Sequence, residues 1–195
     1  PCFETVKRYA PLPEDQDISS EVMMSHQRGG EHANNLIKSY LLNEYHEPRD
    51  FESFLYASQI LQGDAIKTAI EAHRRDKGYC WGSLYWQHND CWPVASWSSR
   101  DWYGVWKAQH YFARYAFADI LISPILDGGR LDIYAVSDLL SPEKGTLCAN
   151  SMRVEEKWGV RLTRHAFNTA YSTAGRAPLS TRCARRPTGA DTRRS

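Results

Sequence analysis

Only one short stretch in the first 117 residues alternates as a strand does, and it stands among helices. Residues 82–87 (Gly-Ser-Leu-Tyr-Trp-Gln) place small, apolar and polar side chains in turn, and Asn89-Asp90 followed by Pro93 lead the chain away. A lone strand leaves backbone donors and acceptors unpaired, which a protein interior does not tolerate. The flanking segments read as helices. Ser19-Ser20-Glu21 can cap one that carries Val22, Met23 and Met24, and Gly29-Gly30 stops it. Leu36, Ile37, Tyr40 and Leu41 recur at helical spacing in a second. Asp50 caps a long third to about residue 75, with Phe51, Phe54, Leu55, Leu61, Ala65 and Ala69 as its buried stripe. Lys77-Gly78 ends it, and a fourth helix runs from about residue 105 to 117. Such a chain must find strand partners elsewhere.

The segment that follows the strand is unusual in its aromatic content. Six of the seven tryptophans fall between Trp81 and Trp106. Each indole has a broad apolar face and one N–H that needs a partner when buried. Indoles beside amides and carboxylates suit a sugar, with its apolar C–H faces and rim of hydroxyls. A buried aromatic cluster pinning a long loop would use the same residues. Trp86, at the carboxyl end of the strand, is the foremost candidate for stacking on a sugar. Trp92 and Trp97 either extend that platform or pack the loop. Asn89 and Asp90 either bond sugar hydroxyls or hold the loop through side-chain-to-backbone bonds. His26, His73 and His110 sit on helical segments, and His73 with Glu71 does not share a helix face as a metal pair would. Glycine-rich phosphate loops and nucleophile elbows are absent.

The run Tyr85-Trp86-Gln87-His88-Asn89-Asp90-Cys91-Trp92-Pro93 resembles the Trp-Gln-Leu-Asn-Asp-Cys-Trp-Pro signature of β-mannosidases of glycoside hydrolase family 2. Ser96-Trp97-Ser98-Ser99, Trp106-Lys107 and His110-Tyr111-Phe112-Ala113 are similar to its continuation. Upstream, Ser25-His26-Gln27-Arg28 and Glu71-Ala72-His73-Arg74-Arg75 resemble further segments of these enzymes. The likeness covers roughly residues 1–138. His88 departs from the usual Leu, and Arg100 and Trp102 from the usual Ile and Tyr. The resemblance implies an α/β fold. Residues 1–117 would be the end of a catalytic TIM barrel, with its eighth strand and helix. Residues 118–148 would be the first strands of an immunoglobulin-like β-sandwich. It also implies retaining hydrolysis of terminal β-D-mannosyl residues of an oligosaccharide or glycoconjugate, without cofactor or metal. The substrate-binding residues would be Trp86, Asn89, Asp90, Trp92 and Trp97. Both catalytic glutamates would lie upstream of Pro1, so that this chain is a part of the enzyme, inactive alone. A family 2 glycosidase of another specificity, such as a β-galactosidase or β-glucuronidase, is one alternative. A non-catalytic carbohydrate-binding module is another.

Beyond the barrel segment, Ile120-Leu121-Ile122 and Leu131 to Val136 read as two strands joined at Asp127-Gly128-Gly129. The net charge of +1 then hides a division. Residues 1–148 hold 14 Lys and Arg against 20 Asp and Glu, whereas residues 149–195 hold 10 against 3. The latter, rich in Thr, Ala, Ser and Arg, are expected to form a disordered basic tail. Lacking interleaved aromatics, the tail is not read as a nucleic-acid arm. The five cysteines show no CxxC spacing and read as free thiols. No apolar run approaches the roughly 18 residues of a membrane span, so no membrane partner is expected. Compartment and oligomeric state are left open by the sequence.

Overall fold

The computed structural model describes residues 1–127, 130–141, 144–155, 159–170 and 177–181, with side chains described as far as residue 141. The chain divides into two compact units, Pro1–Ala118 and Asp119–Ser195.

The first unit is helical. A short α1 (Phe3–Val6) and a 3-10 turn (Pro13–Asp15) lead to α2 (Glu21–Ser25), α3 (Ala33–Glu44) and α4 (Phe51–Arg75), and α5 (Ala108–Ala116) closes the unit. The starts follow from capping. Ser20 accepts a hydrogen bond from the Met23 amide, and Asp50 accepts one from the Ser53 amide. Each thereby satisfies an amide that the helix itself leaves without a partner. One apolar cluster gathers Val6, Ala10, Met23 and Leu55, with Phe3, Tyr9, Val22, Phe51 and Phe54 against it. A second joins Ile70 of α4 to Ala113 and Ala116 of α5, with Ile66 and Tyr85 alongside.

Two expectations change here. The buried face of α4 passes through Leu55, Gly63 and Ile70, whereas Ala65 and Ala69 are exposed. The α5 helix lies across that face. A β-carbon at Gly63 would come within 2.7 Å of the Phe112 ring, so the absence of a side chain there sets how closely the helices approach. Arg74 extends from α4 to the end of α5 and donates from Nη1 to the Ala116 and Ala118 carbonyls at 2.6 and 2.7 Å. The second change concerns residues 82–87. They form no strand, because no neighbouring strand lies among the described residues of this unit to complete a ladder.

The second unit is built of antiparallel strands. β1 (Ile120–Asp127) and β2 (Arg130–Ser137) form the expected hairpin, with Asp127 opposite Arg130, and β5 (Ala177–Thr181) adds to β2. Leu121 and Ser123 alternate inward on β1, and Ile133, Ala135 and Val136 are buried on β2. β3 (Lys144–Glu155) and β4 (Gly159–Ala170) form a separate pair. Strand pairing therefore continues past residue 148, where the sequence leads to the expectation of a structureless tail. The pairing register sets Met152 opposite Leu162, Val154 opposite Val160 and Leu147 opposite Phe167. Met152 and Val154 alternate about Arg153, and Val160 and Leu162 about Arg161, a short strand period set in a basic stretch. Residues 182–195 lie outside the described residues.

Candidate functional site

The loop from residue 86 to 107 is held by its own backbone. The Ser99 amide donates to the Gln87 carbonyl at 2.9 Å, Arg100 to His88 at 3.0 Å, Asp90 to Arg100 at 3.0 Å and Lys107 to Ser99 at 2.8 Å. Arg100 bridges Asn89 in parallel sense and Trp106 in antiparallel sense. Three crossings of the same loop are thus laid side by side, which supplies bonds that residues 82–87 do not find in a sheet.

Beneath these crossings lies a buried polar knot. Lys107 and Asp90 are each only 2% exposed, and the Lys107 ammonium lies 3.1 Å from Asp90 Oδ2. The same ammonium donates to Ser98 Oγ at 2.7 Å and to the Ser96 carbonyl at 3.4 Å, and the Ser96 hydroxyl donates to the other Asp90 oxygen. All three ammonium donors therefore have acceptors. Burial lowers the Lys107 pKa, opposed by the charge and hydrogen bond of Asp90 and by the charge of Asp101. Two buried charges of this kind are tolerated only where geometry and extra hydrogen bonds offset the loss of water.

Neighbouring elements fix the loop from outside. Thr5 Oγ1 donates to Asp101 Oδ2 at 2.5 Å, and the Val105 amide donates to Asp101 Oδ1 at 2.8 Å. From α4, Gln62 donates to the Trp97 carbonyl at 3.0 Å, and Gln59 accepts from the Ala108 amide at 3.2 Å. His26 Nδ1 lies 2.6 Å from the Pro93 carbonyl, and the Ala95 amide donates to the His26 carbonyl at 2.8 Å. The His26 ring stacks on Tyr9 at 4.5 Å and lies 5.3 Å from Trp92.

The five residues singled out from the sequence thus separate into different environments. Trp86 is 72% exposed, next to the Gln87 carbonyl that accepts from Ser99, and Trp97 is 46% exposed, its carbonyl accepting from Gln62. The Trp86–Gln87 peptide is cis. Asn89 is exposed and donates to the Asp90 carbonyl at 3.0 Å. Trp92 is half-buried beside His26. Asp90 is buried, its carboxylate turned inward and held by Lys107 and Ser96, as the loop-holding role read from the sequence would have it. The sequence reading misses Lys107, Ser96 and Ser98, since a single lysine between Trp106 and Ala108 carries no mark of burial. Of the cysteines with described side chains, Cys2, Cys80 and Cys91 are free thiols. Among the described residues no group of three His, Cys, Asp or Glu side chains could hold a metal ion, and no helix is long and apolar enough to cross a membrane.

An exposed indole on a fixed loop, next to an exposed amide, can stack on a sugar ring and bond its hydroxyls. No family model matches the chain. The β-mannosidase of Capra hircus is 44% identical over 108 residues, covering 52% of this chain and 12% of that protein. That of Rattus norvegicus is 34% identical over 151 residues, covering 71% of this chain and 17% of that protein. A solved β-D-mannosidase from Dictyoglomus thermophilum superposes with a TM-score of 0.73 at 31% identity, covering 92% of this chain and 22% of that one. By these likenesses the chain resembles glycoside hydrolases. More narrowly, it is similar to one segment of the β-mannosidases. The chain spans less than a quarter of the length of each of these relatives.

Proposed function

We propose that this chain supplies the sugar-stacking side of the active site of a retaining β-mannosidase that acts on terminal β-D-mannosyl residues. In this reading residues 1–117 close a (β/α)8 barrel, and the strands from residue 120 onward open a β-sandwich domain. Residues 82–87, which form no strand here, would become the barrel strand that ends at Trp86. Barrel enzymes carry their chemistry at the carboxyl ends of the strands, which is where Trp86 would then stand. The observation that carries the reading is the Trp86 indole, largely exposed on a loop that a buried ion pair and several backbone bonds hold in place.

Retaining hydrolysis needs a nucleophile and an acid/base group, with their carboxyl groups about 5 to 5.5 Å apart. Asp90 and Asp101 are both committed to holding the loop, so neither is free for that work. The two carboxylates would come from polypeptide preceding Pro1. The role left to this chain is positioning. Trp86 and Trp97 would offer apolar faces to the mannosyl unit and its neighbour, and Asn89 would bond a hydroxyl. The half-buried Trp92 would support the platform from behind.

Positioning of this kind lowers the barrier by fixing the anomeric carbon before the chemistry begins. In a polypeptide that also contains the upstream barrel, Trp86→Ala is expected to lower kcat/KM for a chromogenic β-mannoside roughly 10- to 100-fold with the melting temperature unchanged. A large loss of stability with normal activity per folded molecule would make Trp86 a packing residue and defeat the assignment.

A further inference from the structure

Trp106 is the centre of a second cluster, which the stacking role of Trp86 leaves unexplained. The Arg100 guanidinium carbon lies 5.1 Å from the centre of the indole ring. His110 stacks on the ring at 3.9 Å, and His88 meets it edge-on at 5.7 Å. Arg100 and His88 are exposed. Their backbones are joined by the 3.0 Å bond from the Arg100 amide to the His88 carbonyl, so the two side chains arise from adjacent crossings of the fixed loop.

The arginine is also held in place. Its Nε donates to the Gly104 carbonyl at 3.0 Å. Gly104 has φ +86, and a β-carbon there would come within 3.0 Å of Arg100 Nη2. The positive φ favours glycine at this turn, and a β-carbon there would press on the guanidinium. Contact with the indole removes further freedom from the arginine. Among the described residues no acidic side chain pairs with Arg100, no acceptor meets its terminal nitrogens, and the His88 and His110 rings have no hydrogen-bond partner. A planar fork of N–H donors fixed in this way matches the paired oxygens of a carboxylate or phosphate.

We propose that Arg100 and His88, both set against Trp106, form a binding site for an anionic group, a carboxylate or a phosphate, carried on a sugar. The sugar requirement comes from Trp86, an exposed indole two residues before His88 on the same loop. The sugar requirement rests on the stacking role proposed for Trp86, whereas hydrolysis is tested by turnover and fails or stands separately.

The test is isothermal titration of the full chain at neutral pH and low salt with D-glucuronate, mannose 6-phosphate, D-mannose and inorganic phosphate. At least one acidic sugar is expected to bind about tenfold or more tightly than both D-mannose and inorganic phosphate. Whichever acidic sugar binds better identifies the oxygen group. Arg100→Ile is expected to remove that advantage and His88→Leu to reduce it, with far-UV circular dichroism unchanged. If Arg100→Ile alters the fold, Arg100→Lys, which keeps the charge and loses the fork, decides the matter through the same loss of preference. The proposal is overturned by absence of saturable binding of both acidic sugars, by equal binding of D-mannose, or by inorganic phosphate binding as tightly. Unchanged binding by a folded Arg100 variant would overturn it as well.

Discussion

Lys107 is a charge withdrawn from water and given three acceptors in exchange. Removing one partner of such a pair leaves the other buried and unpaired, at a cost of about 3–5 kcal/mol. Lys107→Met is therefore expected to lower the denaturation midpoint strongly, and the double variant Lys107→Met with Asp90→Leu to lose less than either single change. Losses that simply add would show that the two side chains act independently. Tyr9 raises the opposite question, because its hydroxyl is buried without a hydrogen-bond partner among the described residues. Burial, with Asp90 next in importance, raises its pKa above the usual value near 10. The folded state thus keeps a proton that the unfolded chain gives up. Stability from this group is present at neutral pH and is lost as the pH rises above about 10. Tyr9→Phe is expected to be within about 1 kcal/mol of the parent at pH 7 and to lose less stability than the parent between pH 9 and 11. An identical alkaline loss in the two proteins would contradict this. At this scale the sequence is informative about exposed aromatic residues such as Trp86. It is poor at telling an inward carboxylate from an outward one, because Asn89 and Asp90 are adjacent and chemically alike yet face different surroundings.

The elements with local signals are those the sequence locates well. Ser20 and Asp50 are caps on both readings, and α4 ends at Arg75 as expected, because a cap and a glycine act within one turn. The faces are harder. The stripe assigned to Ala65 and Ala69 depends on where α5 lies, and that is decided by Phe112 filling the space left by Gly63. Gly63→Ala should gain about 1 kcal/mol in helix propensity. It should lose about 1–3 kcal/mol to overpacking against Phe112. A net loss is expected, with recovery on combining it with Phe112→Leu. A plain gain in the single variant would mean that the contact yields without cost. Residues 82–87 have the alternation of a strand but no neighbour, and period alone cannot supply one. The β3–β4 pair is the reverse case: each strand has its partner within the chain, and the count of arginines beyond residue 148 conceals the short alternations at Met152/Val154 and Val160/Leu162.

For the whole molecule, the likeness to β-mannosidases and the modest share of each relative that this chain spans lead to one view of its work. It would hold and orient the sugar, while the bond-breaking carboxylates come from elsewhere in the polypeptide. The order of helices followed by antiparallel strands is visible in the sequence, as are the rare tryptophans that carry the resemblance. The partners that would complete the sheet are not, since they would lie outside the 195 residues. The most direct measurement is turnover of a chromogenic β-mannoside by purified, folded residues 1–195, alone and as part of a polypeptide that includes the upstream barrel. Turnover is expected only in the longer polypeptide, with the short one at the rate of buffer. Hydrolysis by residues 1–195 alone, lost on mutating a carboxylate within them, would contradict the account.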